Sequence, residues 1–527
     1  MRGARWSWVR LCAAVACSCA LCILCAPVAG AAIPGLQKLH FAAGPYTITP
    51  GANLILVDTN QIPKPTVDGY MVRMAPNLHY AKPNGTCCGK IPRVDVIHLH
   101  HGVWLSNGAA GGGEGNGFAG VYPFMASGEE KTVYAFPPGY GFPVGAHDTW
   151  ILNYMIHNLT SKQAKVYITY DIDFVPLTAP GASSIIPVHP IWMDVEARHI
   201  YPVFDVLRGS GKHGRYTFPD MDPNAYGGGP PLNEFTIDHP GTLIETAGHV
   251  HPGGLYDDLD LIRRGAEPSG GAIAGPVSNS VRLFRSKADY FDPRGDISWD
   301  MAMTATGGDW RAAVQAGDTL RVSTTYDSRR ASWYESMGIM VVYEAWDDPT
   351  GVDPFTHALD QNGRVTHGHL AENNNHGGAK SRIPNPIKLR SCRTSRVLIG
   401  GFQFLPGDLA ASGSERCAPT VTQGHSITFV NDDAAANAIW SLFSPNRAYM
   451  SSIFHSITAC AGPCNASTGI SYPLANGAGG YDSAQLGFGM PAAGSLDWST
   501  PSNLKPGTYT FFCRIHPFMR GVFRIVR

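Results

Sequence analysis

Close to the end of the chain a cysteine, a histidine and a methionine stand three residues apart. They lie in the run Tyr509-Thr-Phe-Phe-Cys513-Arg-Ile-His516-Pro-Phe-Met519-Arg-Gly521. Cysteine offers a soft thiolate, histidine an imidazole and methionine a weak thioether. This is the donor set of a trigonal His₂Cys copper site with a long axial methionine. One tight turn at this spacing presents all three donors to one ion. The plain alternative is a buried free cysteine beside an unrelated histidine, and the flanks argue against it. Tyr509 and Phe511 alternate into Cys513 as a strand, and Val522, Phe523 and Ile525 read as the strand that leaves. Leu504 to Tyr509 is a turn into a strand, and Gly424 to Asn431 is another strand closed by Asp432-Asp433. The remaining donor has to be a histidine on an earlier strand end. His455, in Ile453-Phe-His455-Ser-Ile457-Thr, is the preferred reading. The rival, His425, follows Gly424 at a strand start and reads as solvated.

The ligand loop resembles that of the plastocyanin-like cupredoxins, amicyanin most of all, through the shared Cys-x-x-His-Pro-Phe-Met-Arg-Gly run. The resemblance covers roughly Arg390 to Arg527. It implies a β-sandwich and a one-electron, type 1 copper centre held by His455, Cys513, His516 and Met519. Cys460 to Thr500 reads as an inserted loop.

Further upstream, histidines recur at ligand-like spacings in a chain that has 20 of them. His98-Leu-His100-His101 closes a strand candidate at Val94 to Leu99. His157 ends the strand-like run Trp150 to Asn158. His249 and His251 stand two apart on a strand, where alternate side chains share a face and both reach one metal. Met337 precedes the apolar run that ends at Trp346. Taken singly, His157 or Met337 reads as a core residue; the His-His and His-x-His pairs change that. Their order resembles the ascorbate-dependent dicopper monooxygenases, peptidylglycine alpha-hydroxylating and dopamine beta-monooxygenase, over roughly Pro92 to Trp346. The resemblance implies an electron-storing copper on His100, His101 and His157. It implies a second copper on His249, His251 and Met337, where dioxygen is activated and the catalytic residues lie. Those two ions would be type 2 coppers beside the one type 1 ion. No cysteine occurs between Pro92 and Trp346, which departs from that family's disulfides. His98 shares a strand face with His100 and is an alternative ligand. Met340 is the alternative to Met337. His367 and His369 are a weaker metal pair in a glycine-rich tract.

The elements that position these residues follow from composition. The chain has 527 residues with 15% charged, 60 glycines and 40 prolines, which suits strand-rich domains joined by many turns. The expected fold is all-β, with two jelly-roll-like sandwiches followed by a cupredoxin sandwich. Expected boundaries are a signal segment at 1–31, sandwiches at 32–185 and 186–346, a linker at 347–389 and the cupredoxin at 390–527. Lys165 to Phe174, with Val166, Ile168 and Tyr170 on alternate positions, and Leu320 to Tyr326 are clear strands.

Arg2, Arg5 and Arg10, the apolar run Leu11 to Ala26 and Ala29-Gly-Ala31 form an export signal with cleavage near Ala32. A retained anchor and a lipoprotein-like reading of Ala14-Val-Ala16-Cys17 are the alternatives. No later apolar run is long enough to span a membrane. Cleavage removes three arginines and no acids, moving the formal charge from −1 to about −4, which excludes a basic nucleic-acid field. Of 12 cysteines, five leave with the signal and Cys513 is a copper donor. Cys87, Cys88, Cys392, Cys417, Cys460 and Cys464 remain, an even set that implies disulfides in an exported protein. Cys392 with Cys417 and Cys460 with Cys464 are the local pairings. Asn158-Leu-Thr160 and Asn465-Ala-Ser467 are glycosylation sequons. These readings lead to an exported, secreted or periplasmic copper protein with an external electron donor. Dioxygen and an organic substrate are its other expected partners. A non-catalytic electron-transfer or copper-binding protein is the alternative.

Overall fold

The structure is a computed structural model that describes residues 33–60, 62–94, 96–108, 120–160, 162–196, 203–264, 278–291, 295–296, 299–329, 332–369, 385–409, 416–433, 453–460, 480–487, 495–516 and 518–527. The expected signal segment, most of the glycine-rich loop after Asn107, Cys464 and the Asn465 sequon lie outside the described residues. Among those described, no helix is long and apolar enough to cross a membrane. The fold is all-β, as the composition implies.

Ten strands form the first sandwich: β1 (Gln37–Ile48), β2 (Asn53–Asp58), β3 (Gly69–Tyr80), β4 (Ile97–Ser106), β5 (Tyr122–Gly128), β6 (Tyr134–Ala135), β7 (Tyr140–Val144), β8 (Trp150–Asn158), β9 (Ala164–Pro176) and β10 (Ile186–Pro187). One sheet runs β1-β9-β3-β7-β10, with β6 on β3, and the other runs β2-β8-β4-β5. Period-two patterning decides what faces inward. Val166, Ile168, Tyr170, Ile172 and Phe174 of β9 all enter the core, as do Leu152, Tyr154 and Ile156 of β8. The opposite parity of β8, Asn153, Met155 and His157, therefore faces away from that core. β4 begins later than the sequence suggests and runs through the histidines. Its register against β8 shifts between Leu99 and His101, a bulge with His100 as the extra residue. Parity flips there: Ile97 and Leu99 are core residues before it and Trp104 after it. Because of this bulge, neighbouring His100 and His101 both leave the core side, which a regular strand forbids.

The second unit contains β11 (His189–Asp194), β12 (Phe204–Val206), β13 (Arg215–Phe218), β14 (Glu234–Thr236), β15 (Gly241–His249), β16 (Gly254–Arg264), β17 (Ser278–Tyr290), β18 (Met301–Ala305), β19 (Ala312–Val314), β20 (Thr319–Asp327), β21 (Trp333–Ser336), β22 (Ile339–Trp346) and β23 (Arg364–Val365). Its principal sheet has 11 strands, eight along the path β11-β22-β15-β18-β17-β16-β20-β13 with β14 on β20, β19 on β15 and β23 on β18, and turns its corner at a single β15–β18 pair, Ala247 with Ala305. The two limbs enclose one apolar core that includes Leu243, Leu259, Leu283, Leu320 and Met340. On β22, Met340 and Val342 point into that core, whereas Val341, Tyr343 and Ala345 join the core of the first sandwich. The Tyr343 hydroxyl donates to the Phe124 carbonyl at 2.7 Å across the boundary. The segment after Trp346 lies over both units: β23 pairs with β18, and Thr366 donates to the Glu130 carbonyl at 2.9 Å.

The third unit contains β24 (Ser391–Arg393), β25 (Arg396–Gly400), β26 (Gln403–Leu405), β27 (Ala418–Thr422), β28 (Thr428–Asn431), β29 (Thr458–Ala459), β30 (Asp497–Ser499), β31 (Gly507–Phe512) and β32 (Arg520–Val526). Sheets β24-β27-β32-β31-β29 and β26-β25-β28-β30 face one another over Phe404, Phe429, Phe511 and Phe523. This is the two-sheet sandwich expected of a cupredoxin. Gly521 is needed here, since a Cβ would sit 2.2 Å from the Phe511 ring.

Cys392 and Cys417 are bridged, as their spacing suggests. Cys87 and Cys88 form a disulfide with one another. Cys460 is disulfide-bonded as well. Asn158 of the first sequon is buried, and its amide donates to the Thr49 and Lys162 carbonyls, so it is not an exposed acceptor.

Candidate metal centres

β31 delivers Cys513 to one end of the third sandwich, and the chain returns through β32. Between them Met519 N–H donates to the His516 carbonyl at 2.8 Å and Cys513 N–H to the Met519 carbonyl at 3.1 Å, which closes the tight loop. The Cys513 sulfur is fully buried and accepts from the Ser456 and His516 backbone N–H groups at 3.3 and 3.4 Å. His455 enters from the segment before β29. Its Nδ1 is 3.8 Å from Cys513 Sγ, His516 Nδ1 is 3.7 Å from the same sulfur, and the two Nδ1 atoms are 3.2 Å apart. Metal–nitrogen bonds of about 2.0 Å and a metal–sulfur bond of about 2.3 Å in a trigonal plane require separations near 3.5 and 3.7 Å. The triad matches that spacing. Met519 is 1% exposed and lies in the same buried cluster. His425 is exposed and bonds Thr422, far from this role.

The tautomers carry the strongest sign of a cation. His455 Nε2 meets Asp433 Oδ2 at 3.0 Å, and His516 Nε2 meets the Gly51 carbonyl at 3.0 Å. Both partners accept only, so each Nε2 bears a proton and each Nδ1 is aimed at the other and at the sulfur. Such an arrangement is held together by a cation among the three donors, either a proton on one Nδ1 or a metal ion. Burial opposes the thiolate, but the two histidines outweigh it and hold the Cys513 thiol well below its ordinary value. The Asp433 carboxylate also accepts from Gly401 and Phe402 N–H at 2.6 and 3.1 Å, fixing the turn on which Phe402 stands with φ of 60°. The Phe402 ring lies edge-on to His516 and His455, with centroids 5.0 and 5.7 Å away.

A second histidine set gathers between the first two sandwiches. The outward faces of β4 and β8 supply His98, His100, His101 and His157; the end of β15 and the turn after it supply His249 and His251. All six are buried. Ring centroids are 4.1 Å apart for His100 and His251, 5.2 Å for His98 and His157, and 6.0 Å for His100 and His157. The five histidines assigned by resemblance to two separate coppers thus share one chamber, with His98 among them. Nδ1 of His98 donates to the Val94 carbonyl at 2.7 Å, that of His249 to Glu130 Oε2 at 3.0 Å, and that of His251 to the Glu335 carbonyl. Such contacts orient metal-ligating histidines and free the other nitrogen. The freed Nε2 atoms of His249 and His251 lie 3.1 Å apart, the same close opposition as in the cysteine site. Burial lowers the pKa of His98 to about 4 and of His101 to about 3, and holds His100, His157 and His251 well below the usual range. These rings are neutral and free to ligate at pH 7.

Met337 is near the pair through its backbone. The Tyr326 hydroxyl accepts from His251 N–H at 3.0 Å and Met337 N–H at 3.1 Å, and donates to the Met337 carbonyl at 2.7 Å. The Met337 side chain itself packs with Val203, Ile339 and Trp192, and Met340 is in the second core. His367 bonds the Gly368 carbonyl, and His369 pairs with Asp300 at 3.1 Å. Among the described residues, sets of three or more His, Cys, Asp or Glu donor atoms lie mutually within 4.8 Å only at His455, Cys513 and His516 and at His40, Cys87 and Cys88, the latter two cysteines being disulfide-bonded.

Several functional neighbours carry no local sequence signal. Trp299 is one: its ring is 4.4 Å from His98, 5.0 Å from His100 and 5.7 Å from His251. Glu130, Tyr326, Asp433 and Gly51 are others, each reaching its histidine from a distant part of the chain. Strand parity already offers His98 as an alternative ligand beside His100.

No protein-family model matches the chain, and no curated protein matches it. Among solved structures the chain is similar to a Cu-containing nitrite reductase (NirK) from Thermus scotoductus SA-01. The identity is 12%, the TM-score 0.16, and the match covers 55% of this chain and 59% of that one.

Proposed function

We propose that this chain is an exported copper oxidoreductase. Its cupredoxin sandwich takes single electrons from an external donor at a type 1 copper held by His455, Cys513, His516 and Met519. The histidine chamber, fed by those electrons, would insert one oxygen atom of dioxygen into a C–H bond of an organic substrate. Two electrons and two protons reduce the second oxygen atom to water, so each turnover draws twice on the one-electron donor. Bound copper supplies the electron storage and the dioxygen chemistry. The residues supply the rest. Glu130 and the Val94 and Glu335 carbonyls fix imidazole tautomers, Tyr326 ties the His249–His251 turn to the Met337 segment, and Trp299 covers the rings. The observation that carries the electron-transfer part is the Cys513 triad, whose spacing and converging donors fit one soft cation. The monooxygenase part leans on the six-histidine chamber and the ligand order on the chain.

One observation favours the non-catalytic reading. The Met337 thioether packs among apolar side chains, and no three chamber nitrogens among the described residues lie within 4.8 Å of one another. In that case only the cupredoxin site works. Copper per chain, measured with visible absorption and electron paramagnetic resonance on copper-loaded protein, separates the two. About three equivalents with type 2 signals beside a thiolate-to-copper band support the oxygenase, and an oxygen-uptake screen follows. About one equivalent leaves an electron carrier. A copper-loaded sample without the thiolate band sinks both.

A further inference from the structure

The cysteine loop does not face solvent; it is plugged into the meeting point of all three units. Arg514 is half-buried beside Asp482, and its guanidinium lies 4.2 Å over the Trp333 ring of β21. Tyr334, the next residue of that strand, donates to Asp482. On the other side His516 Nε2 donates to the Gly51 carbonyl at the head of β2. The adjacent strand β8 brings His157, opposite Asn53, against the same loop. The His157 and His516 rings meet edge to face, centroids 6.1 Å apart and planes at 80°. His157 in turn is in the chamber, 5.2 Å from His98 and 6.0 Å from His100.

We infer that the contact of His516 with His157 is a built-in electron port, through which the cysteine site reduces the histidine chamber within one chain. This rests on the copper reading of both sites. The transfer is of one electron and no atom: the cysteine site goes from the reduced to the oxidised state, the chamber from oxidised to reduced, and an outside one-electron donor refills the first. Two features make the contact a port rather than an incidental touch. The rings in contact each belong to a candidate metal site, so no further side chain intervenes. The clamp is also specific in shape. Gly51 has φ of +63°, and a Cβ there would lie 2.2 Å from the Phe402 ring that covers His516. Only glycine lets the backbone approach this closely.

The test uses the full copper-loaded chain, reduced anaerobically by a photogenerated one-electron donor while the thiolate-to-copper band is followed. Wild type should show a redistribution phase whose rate does not depend on protein concentration. Gly51→Ala, which wedges the units apart, and His157→Phe, which removes the chamber nitrogen, should each slow that phase on the order of tenfold or more. Misplacing reacting groups by about an ångström has effects of that size. Pulsed dipolar resonance between the two centres reads the spacing independently of rate and should lengthen in Gly51→Ala. A wild-type chain with both coppers and the thiolate band but no concentration-independent phase overturns the port and leaves the copper assignments standing. So does an unchanged phase in both variants. If the thiolate band is absent from wild type, the reading beneath the port fails first.

Discussion

Five of the site imidazoles have one nitrogen spent on an acceptor and the other turned into the site, and the two sites do this in opposite senses. In the cysteine site Nε2 is held and Nδ1 is free; in the chamber His98, His249 and His251 hold Nδ1 and free Nε2. Replacing Cys513 by serine removes the thiolate of the site while leaving the chamber's tautomers untouched. The expected result is loss of the intense visible band with type 2 resonance signals retained. Tyr326→Phe removes the hydroxyl that serves two backbone N–H groups and one carbonyl, at a cost of about 1–3 kcal/mol by chemical denaturation, because buried groups lose their partner. Titration gives a third check. In copper-free protein the His98 and His101 imidazole resonances should remain in the neutral form through pH 6.5 and inflect near 4 and 3. The sign follows from linkage: the unfolded chain takes up these protons near pH 6.5 and the fold only lower. Their stabilising contribution is therefore intact above 6.5 and is lost as pH falls from there toward 4 and 3. Burial raises Asp194 to about 8, which acts in the opposite sense, so residue-specific resonances are the right readout rather than the global melting curve.

At the scale of the element, β4 explains how a His-His pair can serve a single chamber. A regular strand would send one of the two into the Leu99–Trp104 core, and the extra residue at His100 prevents that. Deleting His100 should restore plain alternation, keep Trp104 buried, and leave a folded protein that binds less chamber copper with its thiolate band unchanged. Metal analysis beside the visible spectrum checks this. If deletion instead unfolds the first sandwich, the bulge is holding the core and not only aiming histidines. The same element marks where the sequence stops being readable. The strands β8, β9, β31 and β32 follow from alternation alone, and the cysteine loop is legible because its donors span seven residues in one turn. The bulge leaves no trace in hydrophobic pattern, since every residue from Ile97 to Gly102 is buried. Asp433 and Gly51 stand 22 and 465 positions from the histidines they hold, and Trp299 comes from a loop with no periodicity; long-range placement, not residue type, makes them functional.

Across the whole molecule, β22 is shared. Met340 and Val342 belong to the second core and Val341, Tyr343 and Ala345 to the first, so neither sandwich can lose this strand without exposing the other's apolar surface. Each such side chain contributes about 1.5–3 kcal/mol when fully buried. The chamber lies along this same boundary, with four histidines from one unit and two from the other. Cooperative docking of the two sandwiches is therefore a condition for the site and not a by-product of packing. Among the described residues the third unit meets the others through Arg514 over Trp333, Tyr334 on Asp482 and His516 on Gly51, polar contacts of the kind that let domains move independently. Two calorimetric transitions should follow, one for the joined sandwiches and one for the cupredoxin, rather than three. Tyr343→Ala removes a buried ring and its bond to Phe124, at a cost of about 3–5 kcal/mol. It should lower the joint transition as a single peak and release chamber copper at the same temperature. The thiolate band should persist until the second transition. Splitting of the joint peak by this substitution would mean that the two sandwiches fold separately, and that the chamber is assembled by their docking alone.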